Sequence, residues 1–442
     1  MSLKLGKLTT IVISSPQFAK EILHKHDQIF SYRTIPDSAR AHDRYLFSIF
    51  WMPPISLQWR VLRRICATKV FSAQNIDATQ VIREKKIQEL LDFVKIKVKK
   101  VEAFCIDEVI FTTMLNILSN TLFSMDFARY ASDKSQEFKN IVGGVSQEFG
   151  RPNVVDHFTI LGLLDPQGVR SRMKIYLEKL ITLFDGLVEE RLKSRGLAMG
   201  SESNNNDVLD SVLNFMLEEN SQITRSHVIR LLLDLFVAGI DTTSNMLEHA
   251  MTELLYNPEK FTKVREEIQQ VLSKSSSGKL IEESNISKLP FLRAIVKETL
   301  RLHPPAPFLM PHKSNKDVEV CGYMIPKNSK IIVNLWGMGR DSSVWENPNE
   351  FLPERFLGSK IDFKGQYFEL IPFGAGRRIC PGLPMASRTI HIILASLLYH
   401  YDWKLMNEVK TSEDIDYLSE NFGVTLHKTQ SLLVIPMPNC GT

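Results

Sequence analysis

The stretch Phe373-Gly374-Ala375-Gly376-Arg377-Arg378-Ile379-Cys380-Pro381-Gly382 decides the reading of this chain. A lone cysteine is usually a small buried hydrophobe. Here Gly374, Gly376 and Gly382 surround it and permit backbone angles that other residues resist. Such a turn can aim several amide N–H groups at one sulfur, and a following helix N-terminus adds its dipole. Arg377 and Arg378 add positive charge. Together these features predict a lowered thiol pKa and a Cys380 that serves as thiolate ligand or nucleophile.

Several uses of that thiolate compete. A cysteine hydrolase would want a partner base, and no histidine motif points to one. A phosphate loop would need Gly-x4-Gly-Lys-Ser/Thr, but arginines follow Gly376. A dinucleotide loop would need a third glycine where Ile379 stands, and a preceding strand. Haem iron remains, because an axial thiolate donates electron density and favours O–O cleavage.

The segment resembles the cysteine-ligand loop of cytochrome P450 monooxygenases, Phe-x-x-Gly-x-Arg-x-Cys-x-Gly, at every fixed position. The resemblance implies a mainly α fold with small peripheral β-sheets and one large domain over 1–442. It also implies haem b (iron protoporphyrin IX) as cofactor. Cys380 would be the proximal ligand, Phe373 would pack near the sulfur, and Arg378 would pair with a propionate.

Other motifs extend the resemblance. Glu298 and Arg301 lie three apart on one helix face, and Pro353-Glu354-Arg355-Phe356 supplies a polar partner. In the family these elements lock the proximal loops, a structural role for Glu298, Arg301 and Arg355. Ala238-Gly239-Ile240-Asp241-Thr242-Thr243 interrupts a long apolar helix. A mid-helix threonine often just bonds its own i−4 carbonyl. By resemblance Thr242 would instead hydrogen-bond dioxygen and help deliver protons, with Asp241 as its acidic neighbour. Trp59 and Arg63, from Trp-x-x-x-Arg, would both donate to propionates. His312 stands where the family often has an arginine propionate donor. The substrate-contacting segments map to Phe47, Phe50, Phe236, Val237, Ala238, Ala306, Phe308, Leu309, Phe422 and Val424. Those apolar residues suit a hydrophobic substrate, although plain core is an equal reading for any one of them.

Composition is consistent with a large globular protein. The chain has 442 residues, 44% hydrophobic and 24% charged, enough for a large core. Lys+Arg number 54 and Asp+Glu 50, a net charge of +4 that makes no case for nucleic-acid binding. Cys66, Cys105, Cys321, Cys380 and Cys440 form neither a disulfide framework nor a zinc pattern. That usage speaks for a reducing compartment and against glycosylation at Asn285-Ile286-Ser287. No run of about 18 apolar residues exists to span a bilayer.

Helical periodicity predicts helices over Ser15–Lys25, Leu57–Thr68, Val81–Val98, Asp107–Leu122, Gly168–Arg195, Thr224–Tyr256, Phe291–Leu302 and Met385–Tyr399. Short β-like runs fall at Thr9–Ser14, Val318–Val320, Tyr323–Ile325, Lys330–Asn334, Gly423–Leu426 and Ser431–Ile435. Gly200–Asp207 and Ser273–Lys279 read as polar linkers.

The stretch from Asn421 to Lys428 looks like the terminal region of geraniol 8-hydroxylase-like, terpenoid-oxidising plant microsomal members. The membrane anchor, hinge and first helix of such members are missing from the chain's start. The expectation is therefore an N-terminally incomplete domain whose full-length form sits on the cytosolic face of the endoplasmic reticulum, with peripheral membrane contact. No flavin or nicotinamide motif is present, so an NADPH-dependent cytochrome reductase is the implied partner, with cytochrome b5 as a further electron donor. Lys95, Lys97, Lys99, Lys100, Arg377 and Arg378 could face it. The expected activity is hydroxylation of an apolar, terpenoid-like molecule with O2. A haem-thiolate isomerase or dehydratase and a non-catalytic haem-binding protein are the rival readings.

Overall fold

The structure, a computed structural model, describes residues 1–197, 207–274, 281–406 and 419–439. The expected linkers at 200–207 and 273–279 fall mostly outside the described residues.

One helix organises the rest. Thr224 caps it, with the His227 side chain closing a capping box, and it runs Arg225–Tyr256 before Asn257-Pro258 stops it. This central helix is buried along nearly its whole length, because other helices cover every side. It packs most extensively on Ile106–Phe123, and also on Val169–Leu197, Asp133–Gly150, Pro290–Leu302 and Leu383–His400. Four of its buried polar side chains, Asp234, Asp241, Glu248 and Glu253, each meet a partner from elsewhere in the chain, as burial in a core requires.

The sheets lie at the rim. Ser2–Leu5 (β1), Leu8–Ile13 (β2), Tyr32–Arg33 (β3), His312–Lys313 (β5) and Lys330–Val333 (β8) form a five-stranded sheet in the order β1-β2-β8-β5-β3. Only β2 and β8 pair in parallel; the other pairs are antiparallel. Phe104–Cys105 (β4), Leu433–Pro438 (β12) and Tyr401–Leu405 (β9) form a second sheet. Two hairpins complete the set: Val318–Val320 (β6) with Tyr323–Ile325 (β7), and Glu420–Phe422 (β10) with Leu426–Lys428 (β11).

The structure corrects several expectations. Residues 423–425 are not strand but the bend of the β10–β11 hairpin, since Phe422 pairs with Leu426 across it. The last strand begins at Leu433 rather than Ser431. The helices Asp133–Gly150 and Pro258–Ser273 carry mixed polar faces and escaped the periodicity reading. Helix Leu57–Ile65 ends in a π-helical turn over Cys66–Val70 rather than running on as regular helix. Among the described residues, no helix is long and apolar enough to cross a membrane.

Candidate active site

The cysteine loop is held by its glycines. Gly374 and Gly376 have φ of +70° and +66°, and a Cβ on Gly376 would strike the Leu23 carbonyl. The Cys380 N–H donates to Phe373 O at 2.9 Å, closing the turn before the Leu383–His400 helix. Phe373 packs on Phe363 with ring centroids 5.6 Å apart. Cys380 and Phe373 both line an internal cavity whose empty space, counted with its mouth, is about 1480 Å³.

The charge setting of the sulfur differs from expectation. Burial pushes the Cys380 thiol up, against the backbone N–H groups of Gly382 and Leu383 and the charge of Arg63. Arg377 points elsewhere, to Asp27 at 3.2 Å. Arg378 donates to the carbonyls of Ser31 (2.8 Å), Ile49 (2.8 Å) and Met52 (2.5 Å). Neither neighbouring arginine lowers the thiol, because both side chains turn to other partners. A thiolate here needs a cation bound to the sulfur itself.

Arg378 has company. Arg33, Arg63 and Arg378 all line the cavity. Burial and mutual repulsion push Arg378 down to about 8 and Arg33 to about 9, and burial lowers Arg63 as well. No carboxylate offsets these charges, and Arg33 Nε has no hydrogen-bond partner among the described residues. Three half-buried cations around one cavity, with their charged groups shielded from bulk water, suit anionic partners. A flat group that offers two carboxylates, with a metal above Cys380 Sγ, fits this donor set. Haem b has that chemistry.

Two expected propionate donors are differently engaged. The Trp59 indole N–H donates to Ile49 O at 3.0 Å, so it is already satisfied; its ring instead lies under Arg378, 4.6 Å from the guanidinium carbon. His312 Nδ1 lies 2.7 Å from Phe30 O and must donate to it. Burial, with Arg33 and Arg378 nearby, holds this histidine well below its ordinary pKa. The neutral ring then keeps only a lone pair at Nε2 and cannot donate to a carboxylate.

The lock between the proximal segments is complete. Arg301 grips Glu298 through two bonds of 2.8 and 2.7 Å, and Arg355 Nε and Leu352 N–H reach the same carboxylate at 3.1 and 2.8 Å. Arg301 also donates to the carbonyls of Gly339, Pro348 (2.6 Å) and Glu350 (3.0 Å). Glu298 and Arg301 are fully buried.

On the central helix, Thr242 donates to Ala238 O at 2.7 Å, the ordinary mid-helix bond, yet its side chain also lines the cavity. Asp241 Oδ2 accepts from Thr425 Oγ1 at 2.7 Å, and Thr425 Oγ1 lies 2.7 Å from His427 Nε2. Burial alone would raise the Asp241 pKa, but His427, Thr425 and Ser146 hold it below the usual range. A Cβ on Gly239 would strike Leu118, so the helices meet closely here.

Of the expected pocket residues, Phe50, Val237, Ala238, Ala306, Leu309 and Val424 line the cavity. The other four do not. Phe236 is fully buried in an aromatic cluster with Phe127, Phe138 and Phe184. Phe47 packs edge-on against His227 at 5.0 Å. Phe308 and Phe422 are partly exposed and lie against each other at 6.0 Å. The sequence reading missed Arg33, Arg44, Trp51, Ser146 and Thr425, which line the same cavity.

The β10–β11 hairpin is anchored by a buried ion cluster. His303 lies 2.5 Å from Glu420 and 2.7 Å from Glu253 of the central helix, and the His249 ring stacks on it at 4.4 Å. Burial lowers the His303 pKa, but the two carboxylates outweigh it and the net shift is upward. Its stabilisation is therefore full below about pH 6.5, the ordinary histidine value, and fades as pH rises through the raised folded value. The melting-temperature gap between wild type and His303→Asn should accordingly narrow from pH 6 to pH 9. A gap that widens over that range would contradict the assignment.

Comparison with known proteins agrees with this geometry. The family model described as Cytochrome P450 matches residues 1–433. A geraniol 8-hydroxylase of Catharanthus roseus is 48% identical over 436 residues, covering 99% of this chain and 86% of that protein. Cytochrome P450 76C4 of Arabidopsis thaliana is 47% identical over 438 residues, covering 99% and 85%. A zebra fish cytochrome P450 solved with progesterone superposes with a TM-score of 0.82 at 23% identity, covering 99% of this chain and 96% of that one.

Proposed function

This chain belongs to the cytochrome P450 family of haem-dependent monooxygenases, and on that premise we propose that it hydroxylates a terpenoid with electrons from an NADPH-dependent reductase. The observation that carries the proposal is the shared cavity: a half-buried cysteine, three arginines that no carboxylate offsets among the described residues, and a largely apolar wall. The terpenoid class is supported by the 48% identity to a geraniol 8-hydroxylase.

Cys380 would hold haem b, and Arg33, Arg63 and Arg378 would pair with its carboxylates; the group would supply the chemistry that puts one oxygen atom of O2 into a C–H bond while the other leaves as water. The protein's own groups bind, orient and move protons. Phe50, Val237, Ala306, Leu309 and Val424 exclude water from the substrate's apolar surface. Thr242 keeps its hydroxyl lone pairs toward the cavity while its proton rests on Ala238 O, and rotation frees that proton for an acceptor in the cavity. Asp241 sits beside it as a carboxylate. His427, with a side chain 37% exposed, and Thr425 connect Oδ2 of Asp241 toward solvent. The reductase docks on a basic face that includes the exposed Lys95, Lys99 and Lys100, at the cytosolic surface of the endoplasmic reticulum.

The test is incubation of the haem-loaded protein with reductase, NADPH, isotopically labelled O2 and a panel of monoterpenoid, diterpenoid and phenolic compounds. One labelled oxygen per product, formed from a terpenoid, is the expected result. Product that carries no label, or turnover of phenolics alone, refutes the proposal. A second measurement concerns Thr242→Ala. Product per NADPH consumed should fall at least about tenfold, the low side of what a positioned proton-transfer group contributes, while NADPH consumption continues. Unchanged yield would remove Thr242 from the mechanism.

A further inference from the structure

Asp241 lines the cavity beside Thr242 and is 6% exposed, whereas the protons that the reaction consumes come from solvent. Two residues of the β10–β11 hairpin stand behind its carboxylate. Thr425 Oγ1 lies 2.7 Å from Asp241 Oδ2 on one side and 2.7 Å from His427 Nε2 on the other. His427 does not line the cavity, and its side chain is 37% exposed.

The direction of these hydrogen bonds is fixed. An ionised carboxylate only accepts, and Asp241 is held below the usual carboxylate range. Thr425 therefore donates its hydroxyl proton to Oδ2. Its oxygen keeps only lone pairs, so the proton between Thr425 and His427 belongs to Nε2. Both bonds then point inward, from the ring to the carboxylate. His427 Nε2 and Asp241 Oδ2 are 3.6 Å apart, too far for a direct hydrogen bond, so the Thr425 hydroxyl is the bridge between them.

The charges around the ring suit a proton carrier. Burial lowers the His427 pKa, but Asp241, Glu248 and Asp107 outweigh it and the net shift is upward. His249 also faces the ring, and burial holds it well below its ordinary value, so it adds no competing charge. Lys428, the next residue, turns to Thr252 Oγ1 at 2.6 Å.

We propose that His427 is the proton-entry residue of the cavity and that Thr425 passes its proton inward to Asp241. This inference rests on the monooxygenase reading above, in which each hydroxylation consumes two electrons and two protons with O2 and releases one water. In one transfer the Nε2–H bond of the imidazolium breaks as a new Oγ1–H bond forms, and the old Oγ1–H bond breaks as an Oδ2–H bond forms. Asp241 becomes a carboxylic acid at the cavity wall, the ring becomes neutral, and water restores the ring's proton. His427 touches neither substrate nor oxygen and acts only through Asp241.

Three variants of the haem-loaded protein test it. His427→Gln still donates to Thr425 but carries no titrating proton, Thr425→Val removes the bridge, and Thr425→Ser keeps it. The assay uses reductase, NADPH and whichever compound of the panel above is turned over. Product per NADPH should fall at least about tenfold in His427→Gln and Thr425→Val, and Thr425→Ser should recover most of what the valine loses. The wild-type yield should decline as pH rises through the raised His427 value, and His427→Gln should lose that dependence. Hydrogen peroxide brings its oxygen already protonated, so with peroxide in place of NADPH and O2 the His427→Gln loss should shrink to a small fraction. Unchanged yield in His427→Gln or Thr425→Val overturns the proposal; an equal loss with peroxide does so too, because it marks a merely structural role. Histidine NMR of the diamagnetic ferrous carbon-monoxide complex reads the coupling directly. The His427 midpoint should lie above the ordinary 6.5 and drop in Asp241→Asn. A midpoint that Asp241→Asn leaves in place sinks the relay. Turnover of phenolics alone refutes the terpenoid reading and leaves this test intact. If nothing is turned over, the monooxygenase reading fails, and the NMR midpoint alone decides whether ring and carboxylate are coupled.

Discussion

Replacing Glu298 with alanine is expected to destabilise the protein by about 3–5 kcal/mol, the usual cost of leaving a buried charge without its partner. Its carboxylate holds Arg301, Arg355 and the Leu352 N–H together, and Arg301 in turn ties down the carbonyls of Gly339, Pro348 and Glu350. Without Glu298, a fully buried guanidinium keeps its carbonyl contacts but loses its counter-charge. Arg301→Lys should do little better than alanine at that position, since one ammonium cannot reproduce the fork that reaches Glu298 and three carbonyls. Urea unfolding would measure both variants. A Glu298→Ala protein within about 1 kcal/mol of wild type would show that the lock carries little stability, against the value expected for a broken buried pair.

The second large effect is chemical. Cys380→Ser is nearly isosteric, so the turn closed by the backbone bond to Phe373 should persist and the fold should hold. Product formation should nonetheless drop below detection. A serine hydroxyl at a site where burial already opposes the anion offers no comparable ligand. The carbon-monoxide complex of the reduced variant should lose the red-shifted Soret band characteristic of thiolate ligation. Retention of that band in Cys380→Ser would mean that another group holds the metal.

How much of this was readable in the chain depends on how local each feature is. The cysteine turn is written in ten consecutive residues, and Glu298 with Arg301 in one helical turn; both came through with their geometry. The long helix was clear because helical spacing continues over some thirty residues on both sides of the polar cluster at Asp241, Thr242 and Thr243. What failed involved partners set by tertiary contact. Nothing near Trp59 says that its indole N–H will meet the carbonyl of Ile49, or near His312 that Phe30 will fix its tautomer. Apolar character alone could not tell which face a ring takes, so Phe236 went to an aromatic cluster while its neighbour Val237 reached the cavity. Arg44 escaped notice because its partner Asp234 lies 190 residues away in sequence. Arg377 and Arg378 looked like a single basic pair beside the cysteine, yet adjacent side chains diverge, one to Asp27 and the other under the Ile49 and Met52 carbonyls.

The β10–β11 hairpin joins a rigid base to an adaptable tip. Glu420 is bound through His303 to the central helix, and Thr425 reaches it directly through Asp241. Between these anchors, Val424 shows its side chain to the cavity while its backbone N–H lies against Gly150, where no larger residue would fit. The side chain at 424 is thus one that mutation can exchange without disturbing the scaffold. A lineage of such proteins could explore new substrates at that single codon, and a laboratory library seeking altered selectivity would do well to begin there.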